Sequence, residues 1–150
     1  MQLRPSDITS VAGVPILRIT DEVGTLKNKF SRREVPIHPS CMDVVKRAEA
    51  LADEPWLFMS LRRSKDKGTR FQRIASRFLR DVVGIDDTGL TMHSLRHTWR
   101  TVAREIDMPE PVSRAIMGHA MGRDDHAGYG GLPSLTKRAE WMAKVDPTLA

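Results

Sequence analysis

Apolar and polar positions along this chain recur with two periods, one suited to strands and one to helices. Val14-Pro15-Ile16-Leu17-Arg18-Ile19-Thr20 is rich in β-branched residues and predicts a strand. The polar stretch from Asp21 to Arg32, with Gly24 inside it, reads as a turn or mobile hairpin tip. Glu34-Val35-Pro36-Ile37 reads as the returning strand. Its proline has no N–H to donate, which suits an edge or a strand end. Residues 14–37 are therefore expected to form an antiparallel hairpin with Lys27 at its exposed end. Residues 1–8 are expected to be frayed.

Beyond residue 38 the period changes to that of a helix. Ser40 is the expected N-cap of a helix ending near Asp53, with Met42, Val45, Ala48 and Ala52 on its apolar side. Trp56-Leu57-Phe58-Met59 is a short apolar segment suited to burial, and Ser60 to Thr69 reads as loop. A helix follows from about Thr69 to Val83, its stripe formed by Phe71, Ile74, Phe78, Leu79 and Val82. Gly84 supplies the stop. Further helices are expected over 92–106, from Pro109 to Gly118, and over 132–145. The third of these places Leu135, Ala139 and Met142 on one face. In the second, Val112, Ala115, Ile116 and Met117 point inward. Residues 120–128 read as loop or weak helix. The expected fold class is mainly α with a small antiparallel β-sheet (α+β), in a single domain.

Composition narrows the setting. The chain has 150 residues, 40% hydrophobic and 29% charged, enough for a buried core and ordinary solubility. A formal net charge of +5 favours a polyanionic partner, although basicity alone is a weak signal. Cys41 is the single cysteine, so no internal disulfide forms, and a reducing cytoplasm is the natural compartment. No run approaches the ~18 apolar residues of a membrane span, and the N-terminus carries no signal core.

The densest chemistry lies between His93 and Tyr129. His93-Ser94-Leu95-Arg96-His97-Thr98-Trp99 puts His93, Arg96 and His97 on one helix face. Gly118-His119 follows, and then Tyr129, the only tyrosine. Arginine presents a planar fork of donors matched to phosphate oxygens. A phenol can form a covalent ester if a neighbour takes its proton. Taken alone, each residue has a plainer reading: a surface arginine, hydrogen-bonded histidines, a loop aromatic. His97 is expected to be structural, bonded to backbone. Arg62, Arg63, Lys65, Lys67, Arg70, Arg73 and Arg77 form the densest basic stretch, suited either to phosphates or to a solvated helix face.

Together these motifs resemble the catalytic core of the tyrosine recombinases, the phage-integrase family. His93-Ser94-Leu95-Arg96 matches the family's His-x-x-Arg, Gly118-His119 its Gly-His, and Tyr129, about ten residues on, its nucleophile. Lys27, ahead of Ser31-Arg32-Arg33-Glu34-Val35-Pro36-Ile37, matches its hairpin lysine. The resemblance implies site-specific DNA recombination. Tyr129 would form a 3′-phosphotyrosyl link, Arg96, His93 and His119 would attend the phosphate, and Lys27 would protonate the leaving 5′-hydroxyl. It implies no cofactor, no ATP and no metal. It implies double-stranded DNA as partner, with Arg32, Arg33, Arg62, Arg63, Lys65, Lys67, Arg70 and Arg73 as DNA contacts, and self-association on DNA as a tetramer. The family's first active-site arginine would lie upstream of Met1. The chain is accordingly expected to be N-terminally incomplete and weak or inactive alone. Two alternatives are a non-catalytic DNA-binding or regulatory integrase remnant, and a metal-dependent nuclease using His93, His97 and one of Asp124, Asp125 or His126.

Overall fold

The computed structural model describes residues 3–22, 24, 26, 31–52, 56–57, 66–87, 89–119 and 131–146. Within them the protein is α+β, with a three-stranded antiparallel sheet and five α-helices. The strands are β1 (Ile8–Val11), β2 (Val14–Ile19) and β3 (Arg33–Pro36), in the order β1-β2-β3. The helices are α1 (Met42–Ala50), α2 (Lys67–Asp81), α3 (Met92–Glu105), α4 (Glu110–Met117) and α5 (Leu135–Ala143).

The expected hairpin is present as β2 and β3, with Leu17 opposite Val35 and Ile16 opposite Pro36. Pro36 ends an edge strand, where its missing N–H leaves no gap in the ladder. The expectation that residues 1–8 fray is wrong for the described part. A 3-10 turn at Pro5–Asp7 leads directly into β1. The backbone N–H and guanidinium of Arg4 both donate to the Asp7 carboxylate, and Arg4 also reaches Glu22 at 2.6 Å. Asp7 is buried. Burial alone would push its carboxyl up, but the Arg4 bonds outweigh that and hold it below the usual range. β1 escapes a sequence reading because Thr9 and Ser10 break its apolar character. It turns into β2 through Ala12 and Gly13, both at positive φ, which matches the right-handed twist of a two-residue hairpin.

The main core lies where α3, α4 and α5 meet beside β3. Val102, Ala103, Met108, Val112, Ile116, Met142 and Val145 are buried there, with Val35, Trp99 and Trp141 packed against them. Arg138 is also buried, at 7% exposure. It donates to the carbonyls of Pro133 and Glu34, so a charged side chain ties α5 to β3 through paired polar groups.

Several helix ends differ from expectation. Ser40 does not cap α1: it lies in a 3-10 turn at Pro39–Cys41, its N–H donating to the His38 ring. α2 starts earlier than expected because Asp66 accepts from the Thr69 N–H and supplies the cap. α5 spans less than the expected 132–145, beginning after its cap Ser134. The α1 stripe is only half-buried, since it faces an apolar cavity of about 430 Å³ bounded by Leu17, Val35, Val45, Ala48 and Trp99 among others. The α2 stripe departs furthest. Leu79 is half-buried, but Phe71, Ile74, Phe78 and Val82 are exposed. Among the described residues α2 packs chiefly on α3, so only one edge of its apolar face is covered.

Candidate oxyanion site at the end of helix α4

Helix α3 is capped by Thr91, whose side chain and that of Ser94 form a reciprocal capping box. That start fixes the rotation of the helix and carries Arg96 toward α4. Helix α4 ends at Gly118, which takes the left-handed conformation at φ 70°. A helix stopped in this way leaves its last carbonyls without intrahelical donors, and two of them are taken by arginines from elsewhere in the chain. Arg96 Nη2 donates to the Met117 carbonyl at 2.9 Å. Arg33, the first residue of β3, donates through Nε to the Ile116 carbonyl at 2.9 Å and through Nη1 to the Ser31 carbonyl at 2.8 Å. Cations at a helix C-terminus are favoured by the helix dipole.

Arg96 Nη2 also lies 2.6 Å from His119 Nε2. A guanidinium has no acceptor, so it must be the donor, and Nε2 must be the unprotonated nitrogen. His119 is therefore a neutral imidazole carrying its proton on Nδ1. Burial lowers its affinity for a second proton below the ordinary value, and Arg96, Arg100 and Arg114 lower it further; Glu110 opposes them in part.

Arg33 and Arg96 feel one another. Burial lowers the proton affinity of Arg33 first, and the charge of Arg96 adds to it. Both remain cations. Among the described residues neither takes part in an ion pair. Each guanidinium has five N–H donors, of which the described bonds engage only two apiece. Gly118 makes the arrangement sterically possible: a Cβ there would lie 2.6 Å from Arg33 Nη1 and 2.9 Å from Cζ.

The structure thus brings Arg96 and His119 together, as the motif reading expects, and adds Arg33 to them. His93 is exposed on the first turn of α3, its ring edge-on to His97 at 4.9 Å between centroids. His97 is exposed as well, so its environment is not that of the expected structural histidine. Arg32 is exposed and paired with Asp21. Arg70 and Arg73 are exposed on α2. Lys27, Tyr129, Arg62, Arg63 and Lys65 lie outside the described residues, as do Asp124, Asp125 and His126, and of Lys67 only the backbone, at the start of α2, is described. No group of three or more metal-ligating side chains occurs among the described residues. Arg4, bound to Asp7 and Glu22, is no part of the cluster.

Arg33 is expected from the sequence as a DNA contact, and its place beside Arg96 is not anticipated. The signal was available in strand alternation. Arg33 shares a strand face with Val35, two residues on, and stands opposite Ile19, which is buried. Arg32 and Glu34 take the other face.

No protein-family model matches this chain, and neither the curated proteins nor the solved structures searched yield a match.

Proposed function

We propose that the protein acts on DNA as a tyrosine recombinase-like integrase, joining Tyr129 to a backbone phosphate. The observation that carries this reading is the cluster at the end of α4: Arg96 bonded to His119, Arg33 beside them, and no carboxylate paired with either arginine among the described residues. Such a site attracts an oxyanion and stabilises charge that grows on it. In the proposed step a bond forms from the Tyr129 phenolic oxygen to phosphorus, and the bond from phosphorus to the 5′-oxygen breaks. The phenolic proton passes to a base, and Lys27 protonates the departing 5′-oxygen. A 5′-hydroxyl from a partner duplex reverses the step, and the covalent link conserves the bond energy in between. Arg96 holds a nonbridging oxygen. With Nε2 engaged by Arg96, His119 serves as an Nδ1–H donor to the phosphate rather than as the base, which leaves the exposed His93 for the phenolic proton. Self-association on double-stranded DNA belongs to the same reading.

The test uses a duplex library of randomised sequence with a fixed nick, so that cleavage beside the nick releases a short strand and traps the protein. Because the chain alone is expected to be weak, the product looked for is a low yield of a protein–DNA adduct that survives denaturant. It should vanish in Tyr129→Phe and fall by about 10²–10³-fold in Arg96→Ala, the usual effect of removing one preorganised charge donor. A second reading, DNA binding without cleavage, draws on the exposed Arg70 and Arg73 of α2. Salt-dependent binding with no adduct would select it.

A further inference from the structure

We propose that Arg33 and Arg96 form a single two-guanidinium oxyanion site, in which Arg33 is a second direct ligand of the phosphate. The inference rests on the phosphodiester reading of the cluster and names a group that the recombinase motifs do not supply. Four observations carry it. The two arginines grip consecutive carbonyls, those of Ile116 and Met117, so their guanidiniums are fixed relative to one another by one helix end. Their engaged edges are the ones turned to protein: Nε and Nη1 of Arg33, and Nη2 of Arg96. Among the described residues no bond engages Arg33 Nη2 or Arg96 Nε and Nη1, which leaves their donors for a ligand. Both side chains are half-buried, and none of their nitrogens is among the described buried atoms that lack a partner. Finally, two like charges stand together without a carboxylate among the described residues, an arrangement that an anion relieves.

Two other arginines of the same chain show what a structural role looks like here. Arg138 is buried at 7% exposure, spans two carbonyls and feels the opposite charge of Glu34. Arg4 is neutralised by Asp7 and Glu22. Arg33 is half-buried and repelled by Arg96. The fitting ligand is a tetrahedral oxyanion, and a DNA phosphodiester and free phosphate share that chemistry.

The experiment follows the arginine Nε–H resonances of the full chain by NMR during titration with sodium phosphate, against sodium chloride at equal ionic strength. The Arg33 and Arg96 signals should move together with one saturation curve, and duplex DNA should displace the phosphate. Arg33→Gln should weaken phosphate binding by about ten- to a hundredfold, the worth of a charge-assisted hydrogen bond. Arg33→Lys, which keeps the charge and a donor, should weaken it less, and its amide spectrum confirms that the fold survives. If Arg96 responds while Arg33 does not, and both variants bind like the parent, Arg33 is a strut and the inference fails with the phosphodiester reading intact. If neither arginine responds, both fail. If phosphate moves both but DNA does not compete, the two-arginine site stands and the DNA reading fails.

Discussion

The contact between Arg96 and His119 assigns a protonation state without any appeal to family. Because Arg96 can only donate, His119 must accept, and a protonated His119 would lose that bond while adding a cation beside Arg33 and Arg96. Its folded proton affinity therefore lies below the ordinary value of 6.5. The consequence for stability has a definite sign. Well above pH 6.5 the folded and unfolded forms are both neutral at this position and stability is complete. As pH falls through 6.5 the unfolded chain takes up the proton first, and stability declines until the folded histidine is protonated too. Nitrogen-15 shifts of the imidazole should give a midpoint below 6.5 with the proton on Nδ1 at neutral pH. A midpoint above 6.5 would mean that the Arg96 contact is not the one described.

At the scale of elements, the site depends on how one helix stops and how one strand starts. Gly118 has two requirements to meet: a left-handed backbone and an empty Cβ position against Arg33. Gly118→Ala should destabilise the fold by ~1–3 kcal/mol in denaturant unfolding, since both the strain and the displaced guanidinium act in the same direction. An unchanged midpoint would show that the α4 end is looser than described. The strands β2 and β3 and the helices α3 and α4 were legible from period, Pro36 and Gly118, because each is written in local pattern. β1 was not, since its four residues include Thr9 and Ser10 and gain their place only by pairing with β2. Nor was the α2 cap, because Asp66 sits within a basic run that reads as loop. In the site, Arg96 and His119 were legible from motif. Their mutual bond and the addition of Arg33 were not, because they depend on three separate elements meeting at one helix end.

For the whole molecule, the net charge of +5 is not evenly used. Arg4 and Arg114 answer carboxylates, Arg138 is buried against carbonyls, and Arg33 and Arg96 converge without a described counter-ion. The exposed arginines of α2 offer a separate, sequence-independent hold on a polyanion. If they bind DNA, Arg70→Ala with Arg73→Ala should reduce the slope of log affinity against log salt by about 0.9 for each phosphate that is no longer neutralised. An unchanged slope would return them to a solvated helix face. No helix among the described residues is long and apolar enough to cross a membrane.

In the proposed reaction Tyr129 becomes covalently bound to DNA at a phosphate held by Arg96. The most direct measurement is to digest the trapped adduct with nuclease and protease and locate the nucleotide by mass spectrometry. The expected result is a nucleotide joined through its 3′-phosphate to Tyr129. Attachment to any other residue, or cleaved DNA with no attached protein, would contradict it.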